Sequence, residues 1–485
     1  MTPRAARNHV IRGLGLLAAI SMVIGDVIGT GVFLKVRVMT CNVGTPGMVI
    51  AAWIIAGLFS FAGALTYAEL AAMMPRTGGE YVFIREGYGS LCGFLYGWMR
   101  FFVAGCGGTA ALAVGFAIFL NVMTRGALGI NYFTLDLAGY RVVFGGIQAL
   151  AITAIWVVTL ISCAAVSVGG HITTAFTALK MLLVVGVGLV AFLLARGDWG
   201  HFALSDALGA CEGVGPRARG GIAGFGAAMI GALWAYNGWN EVTYVAGEVK
   251  HPQHNLPLAL IGGIGVVGVV YVFVNIAYFY VLTPAEVAAI PSWSSAATEV
   301  LARFFGPVAT RLMAGAMAMS VFGTLLIGIV VCARTPYAMA RDGLFFRYLA
   351  DVSPHTRVPI RALVAQAVWT SLLVLSGSFD ALTDYSMFAI LIFVGFAAST
   401  IFVFRRRMPE TERPYRTWGY PIVPLVFLVT AGLLIGNTLL TMPKQAFAGL
   451  GLLALGLPFY WYWSRQKKLL FQEAKSVARG LIGQE

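Results

Sequence analysis

Two membrane-length apolar segments of this chain are interrupted near their middles by residues that loosen a helix. The first carries Gly25-Asp26-Val27-Ile28-Gly29-Thr30-Gly31, and the second Trp234-Ala235-Tyr236-Asn237-Gly238-Trp239-Asn240. A glycine inside a helix costs ~1 kcal/mol relative to alanine. Backbone N–H and C=O groups freed in hydrocarbon persist only where protein or a cavity satisfies them. Any fold for this chain must therefore hold both interruptions inside a bundle. Paired breaks of this kind, at corresponding places in two halves of a polytopic protein, mark an internal binding site.

The rest of the sequence agrees with a membrane setting. Of 485 residues, 59% are hydrophobic and only 11% charged, and no polar linker of any length separates soluble domains. Apolar stretches of ~20 residues are candidate spans. They predict an all-α membrane protein of twelve transmembrane helices at 14–36, 46–73, 93–121, 142–163, 171–195, 222–247, 257–282, 309–333, 361–377, 381–404, 420–441 and 446–463. The net charge of +13 does not imply nucleic acid, because the basic residues fall in short loops between spans. Roughly two-thirds of the 33 Lys and Arg lie on the side of the N-terminus, which makes that side cytoplasmic. An even number of spans puts both termini there, in a multi-pass cell-membrane protein.

The breaks fall in segments 1 and 6. That spacing divides the chain into a tail at 1–13, a five-helix unit at 14–195, a second at 222–404, two appended helices at 420–463 and a tail at 464–485. Five spans per unit invert the second relative to the first, as alternating-access transporters require. The expected function is secondary transport. Three connections have structure of their own: Pro75 to Tyr81, Arg334 to Pro359, and an amphipathic stretch at 284–305 that lies across the entrance or simply on the surface.

The N-terminal end of a half-helix offers unpaired N–H groups and partial positive charge, suited to a carboxylate. Gly29-Thr30-Gly31 creates such an end after Ile28. Carbonyls of Trp234, Ala235 and Tyr236, ahead of Asn237 and Gly238, are the expected acceptors for an ammonium. Small residues also serve close helix packing, but the matching break in segment 6 favours a site.

Lys180 lies mid-way along segment 5, where a lysine costs ~2.5–3.5 kcal/mol on insertion scales and should face the interior. Asp26, one turn before the first break, must be paired, protonated or both. It has three readings: a salt bridge to Lys180, a proton-coupling carboxyl, or a local cap on the broken helix. Arg100 is expected as a cytoplasmic-side or interhelical partner, Glu248 as an ion-paired or gating group beside Lys250. Ser320, Gly323 and Thr324 are small enough to line the site or to pack.

These motifs resemble the amino acid–polyamine–organocation superfamily, and within it the L-type amino acid transporter group. The resemblance is carried by Ile28-Gly29-Thr30-Gly31-Val32-Phe33, Tyr67-Ala68-Glu69-Leu70, Pro75 through Tyr81, Leu233 through Asn240, Asn255-Leu256-Pro257-Leu258-Ala259 and Ala340-Arg341-Asp342-Gly343. It implies the LeuT-type fold, a 5+5 inverted repeat with broken helices 1 and 6. It implies an amino acid substrate, an aromatic gate at Trp234, and a Lys180 that stands where other members hold a coupling sodium ion. Sodium independence, with exchange or proton symport, follows as an expectation. Asn237 departs from the aspartate or glycine frequent in this motif.

Animal L-type members join a single-span glycoprotein through a cysteine between helices 3 and 4; residues 121–141 contain none. No disulfide-linked heavy subunit is expected. Cys41 and Cys211 fall in predicted outer loops and allow one internal disulfide. Neither a cofactor nor a metal is implied, since the six cysteines lack C-x-x-C spacing. A membrane-embedded enzyme is the distant alternative, without G-x-S-x-G or H-E-x-x-H to support it. A channel would need charged rings or a filter loop.

Overall fold

The computed structural model of the protein describes residues 12–465, apart from 77, 138–139, 165–169, 195–196, 206, 208–210, 212–213, 293, 354–355, 357 and 377–378. The tails expected at 1–13 and 464–485 lie almost wholly outside the described residues. Nine described helices are long and apolar enough to cross a membrane. They are α3 (Pro46–Met73), α5 (Ser90–Met123), α6 (Gly146–Ala164), α7 (Gly170–Leu194), α9 (Pro252–Val281), α11 (Ala296–Arg341), α13 (Phe379–Arg407), α14 (Ile422–Thr441) and α15 (Ala446–Arg465). The pair α1 (Leu16–Val27) and α2 (Gly31–Val43), bent by 40°, makes a tenth. Two more apolar helices, α8 (Gly221–Tyr236) and α12 (Ile360–Ser376), are shorter, at 16 and 17 residues. Between the spans lie the short α4 (Glu80–Tyr88) and α10 (Pro284–Ala289).

Local sequence sets these boundaries. Thr45 caps α3, its hydroxyl accepting from the Met48 N–H, with Pro46 in the first turn. Gly44 ends α2 with φ of 79°, a left-handed conformation that glycine adopts without strain. A reciprocal Ser295–Thr298 box starts α11.

The two broken helices run in opposite directions. On one face, here the near face, Leu14 before α1 exchanges backbone hydrogen bonds with Glu248 O (3.0 Å) and the Lys250 N–H (2.8 Å), at the end of the 3₁₀ segment Trp239–Glu248. On the far face, the Gly220 N–H before α8 donates to Asn42 O at the end of α2 (2.7 Å). One broken helix therefore enters where the other leaves.

The architecture is that of the all-α membrane protein expected, with one antiparallel hairpin, β1 (Asn131–Leu137) and β2 (Tyr140–Gly145), between α5 and α6. Three expected segment bounds are corrected. Segment 4, expected from residue 142, starts at Gly146, because the β-branched and aromatic run Val142-Val143-Phe144 suits a strand. Segment 1 continues past 36 to Val43, which places Cys41 inside α2 rather than in a loop. It is disulfide-bonded to Cys211. Segment 8, expected at 309–333, is one long α11 interrupted at Gly306 (φ 67°), and it absorbs both the second half of 284–305 and the start of the connection expected from Arg334.

Candidate functional site

The two breaks cross at van der Waals distance, and glycine makes the crossing possible. A Cβ on Gly31 would fall 2.5 Å from Ala235 Cα, and one on Gly238 would fall 3.1 Å from the carbonyl carbon of Asp26. Gly238 also has φ of 111°, out of reach of most side-chain-bearing residues. Ile28 leaves helical geometry with ψ of 88°, and Thr30 O is the first acceptor of α2, taking the Leu34 N–H at 3.1 Å. The N–H groups of Gly31 and Val32 thus precede any intrahelical acceptor, the condition for an anion-binding helix start.

A cavity opens beside this crossing. Asp26, Gly29, Thr30, Gly31, Trp234, Asn237 and Gly238 line it, together with Arg100, Glu241 and Thr324. Among residues expected from sequence, Ile28, Ala235, Tyr236 and Lys180 are not in its lining. Ile28 is fully buried. Tyr236 turns away, its hydroxyl donating to Trp53 O at 3.2 Å. Ala235 O lies 3.0 Å from the Tyr271 hydroxyl, which is also 2.9 Å from Val27 O. Tyr271 thus ties both breaks to α9. Trp234 stands at the cavity wall, edge-on to Phe379 at 6.4 Å.

Lys180 braces the first break from behind. It is 2% exposed and donates to Gly25 O (2.6 Å) and Thr324 Oγ1 (2.5 Å). Thr177, one turn earlier, donates to Ser21 O at 2.9 Å. Helix α7 is therefore strapped to α1 along two turns. The geometry bears on two readings of Asp26. Among the described residues it forms no ion pair with Lys180, whose ammonium is taken up by a carbonyl and a hydroxyl, and it caps no helix, since α1 ends through backbone bonds alone. Its carboxylate belongs to the cavity, with Glu241, Lys180 and Arg100 as charged neighbours.

Three polar clusters surround the crossing. Arg100 pairs with Glu241, and its guanidinium lies 5.1 Å from the Tyr244 ring centre. It opens the π-helical turn Arg100–Gly105 in α5, a distortion common at functional sites. Buried Glu80 accepts from Tyr67 (2.8 Å), Tyr96 (2.6 Å), Tyr244 (2.8 Å) and Asn240 (2.7 Å), fixing the 3₁₀ segment to α3 and α5. On the far side, Lys35 of α2 is fully buried and meets Asp380 (3.0 Å) and Asp384 (3.2 Å) at the start of α13. Arg37 adds a contact to Asp380 at 3.1 Å. Glu248 reaches Arg334 at 3.6 Å, an ion pair across the near face.

Sequence reasoning missed Lys35, Glu80 and Tyr271. Lys35 carried a signal, a lysine within a membrane-length segment. Its proximity to the expected end of segment 1 hid it. Glu80 and Tyr271 gave none, because their partners come from elements far apart in the chain.

Comparison with known proteins identifies the family. The amino acid permease family matches residues 14–453. The chain belongs to that family. Among its relatives is the serine/threonine exchanger SteT of Bacillus subtilis, 29% identical over 95% of this chain and 98% of that protein. The b(0,+)-type amino acid transporter 1 of Mus musculus is 27% identical over 96% and 90%. The large neutral amino acids transporter small subunit 2 of Homo sapiens is 28% identical over 94% and 81%. This permease is thus an amino acid transporter by family, not an enzyme, and a multi-pass membrane protein.

Proposed function

We propose that this permease moves amino acids across the cytoplasmic membrane by alternating access, independently of sodium and by exchange. Twelve spans arranged as a LeuT-type 5+5 inverted repeat carry it, with both termini and the near face cytoplasmic. The carrying observation is the crossing of two oppositely directed breaks beside a cavity, with the free N–H groups of Gly31 and Val32 at its edge. The substrate carboxylate binds there, and its ammonium meets carbonyls at the end of α8, under Trp234. Lys180 supports sodium independence: its ammonium holds the carbonyl end of α1, where a cation would otherwise sit. Exchange is favoured by the serine/threonine exchanger among the relatives. The absence of cysteine from 121–141 supports a permease without a disulfide-linked heavy subunit, although one relative is named a small subunit.

The position of Asp26 favours a second reading, proton symport of amino acids or polyamines, since a carboxyl on the cavity wall can carry a proton through the transport cycle. Uptake of a labelled amino-acid mixture into proteoliposomes decides between them. Sodium-free uptake that requires internal amino acid establishes exchange. Uptake into empty vesicles under an inward proton gradient, lost in Asp26→Asn, establishes symport. No uptake under either condition overturns the substrate class.

A further inference from the structure

The ion pair at one end of the cavity is half made. Arg100 Nη2 donates to Glu241 Oε1, while Arg100 Nε and Glu241 Oε2, both buried, have no hydrogen-bond partner. A guanidinium and a carboxylate free to face each other form two parallel bonds. Here the guanidinium instead lies against the Tyr244 ring, and the second bond is not formed. Glu241 is 8% exposed, so its open oxygen is shielded from bulk water. A buried polar atom without a partner calls for an occupant.

The occupant's chemistry follows from the surroundings. Contacts run continuously from Cys332, whose thiol reaches Arg100 O at 3.9 Å, through Arg100 and Glu241 to Gly238 and the Asp26 backbone packed on it. The charges around the pair are three carboxylates, Asp26, Glu80 and Glu241, and two cations, Arg100 and Lys180. An occupant that carries an anion and a cation together offers a partner to each open atom, whereas a lone anion or cation serves only one of them. An α-amino acid carries both groups, a carboxylate that can accept from Arg100 Nε and an ammonium that can donate to Glu241 Oε2 and Asp26. This place lies in the same cavity as the break crossing, toward Arg100 rather than Trp234. Trp234 touches α5 at Gly108, eight residues beyond Arg100, or roughly 12 Å at 1.5 Å per residue.

The geometry points to a second, weaker subsite for the α-ammonium and α-carboxylate groups of the substrate, formed by Arg100, Glu241 and Asp26. It rests on the amino-acid reading above and adds to it a station between the breaks and the near face.

Equilibrium binding of radiolabelled L-serine, with other labelled amino acids in parallel, to the purified full chain tests it. Wild-type protein is expected to bind two molecules, the second about tenfold or more weakly. R100Q/E241Q, which removes both charges together, is expected to lose the weak molecule. V331F, which narrows the same cavity without changing its charge, is expected to do the same and carries the test should the double variant not fold. A single molecule bound by wild type, or two still bound by both variants, overturns the subsite while leaving the transporter reading intact. No binding of any amino acid to wild type overturns both.

Discussion

Lys35 and Arg100 are buried cations on opposite sides of the same broken-helix crossing, and their surroundings differ. Lys35 meets two carboxylates, with Arg37 completing the cluster, and is fully buried. Arg100 meets one carboxylate through one bond, beside the cavity. The far-side cluster joins α2 to α13 and seals; the near-side pair joins α5 to the 3₁₀ segment and leaves hydrogen-bonding capacity open. Charge satisfaction, not hydrophobicity, distinguishes the two ends, since apolar residues surround both.

The largest expected effect tests the sealed end. Lys35→Met strands Asp384 in the interior, and breaking a buried pair costs about 3–5 kcal/mol. The thermal melt of the purified protein should fall steeply, and Lys35→Met with Asp384→Leu should recover much of the loss. A melt unchanged in the single variant would end the idea of a seal.

Next comes the crossing. Gly31→Val drives a side chain into Ala235, and overpacking of this kind costs about 1–3 kcal/mol. Amino acid binding should disappear even where the protein remains folded, as read by equilibrium binding beside a melt. Retained binding would separate the crossing from the site.

Glu80→Gln is milder. The amide keeps one acceptor oxygen but presents donors to hydroxyls that donated to the carboxylate, a loss of about 1–3 kcal/mol. Transport should slow more than binding weakens, because the 3₁₀ segment loses its anchor to α5. Equal losses in both would make Glu80 a purely structural group.

Glu286 gives the smallest effect and lies outside the spans, on α10. Burial works to raise its pKa, but the Thr283 N–H and hydroxyl together with Arg303 outweigh it and hold the carboxyl below its ordinary value. A depressed folded pKa contributes stability above the unfolded value of 4.5 and loses it as pH falls through the folded one. Because the pair is largely exposed, the contribution is at most about 0.2–1 kcal/mol. Melts of wild type and Glu286→Gln between pH 6 and pH 3 should converge on acidification; a constant gap would remove the ion pair as its source.

Much of this was legible in the chain. Gly29-Thr30-Gly31 and Asn237-Gly238 announced the breaks, because they stood at matching places in segments 1 and 6, and the structure interrupts its helices at both places. Lys180 announced an interior position by the cost of placing it anywhere else, and it is buried against α1. Asp26 was legible as a buried carboxyl but not in its partner: its sequence position allowed Lys180, and only the packing of α7 gave that ammonium to Gly25 and Thr324 instead. The hairpin at 131–145 was misread because a short apolar run at a helix start has no period by which to tell strand from helix.

The sequence by itself determined the membrane setting, the predominance of apolar helices and the two interruptions, because hydrophobic length and glycine content act locally along the chain. Only the tertiary structure decided which charges meet. Lys35 finds Asp380 and Asp384 some 345 to 349 positions away, and Glu80 finds Tyr244 and Asn240 some 164 and 160 away. Burial makes such pairings obligatory, since an ion inside the bundle must find a partner. Which partner it finds depends on how the helices pack.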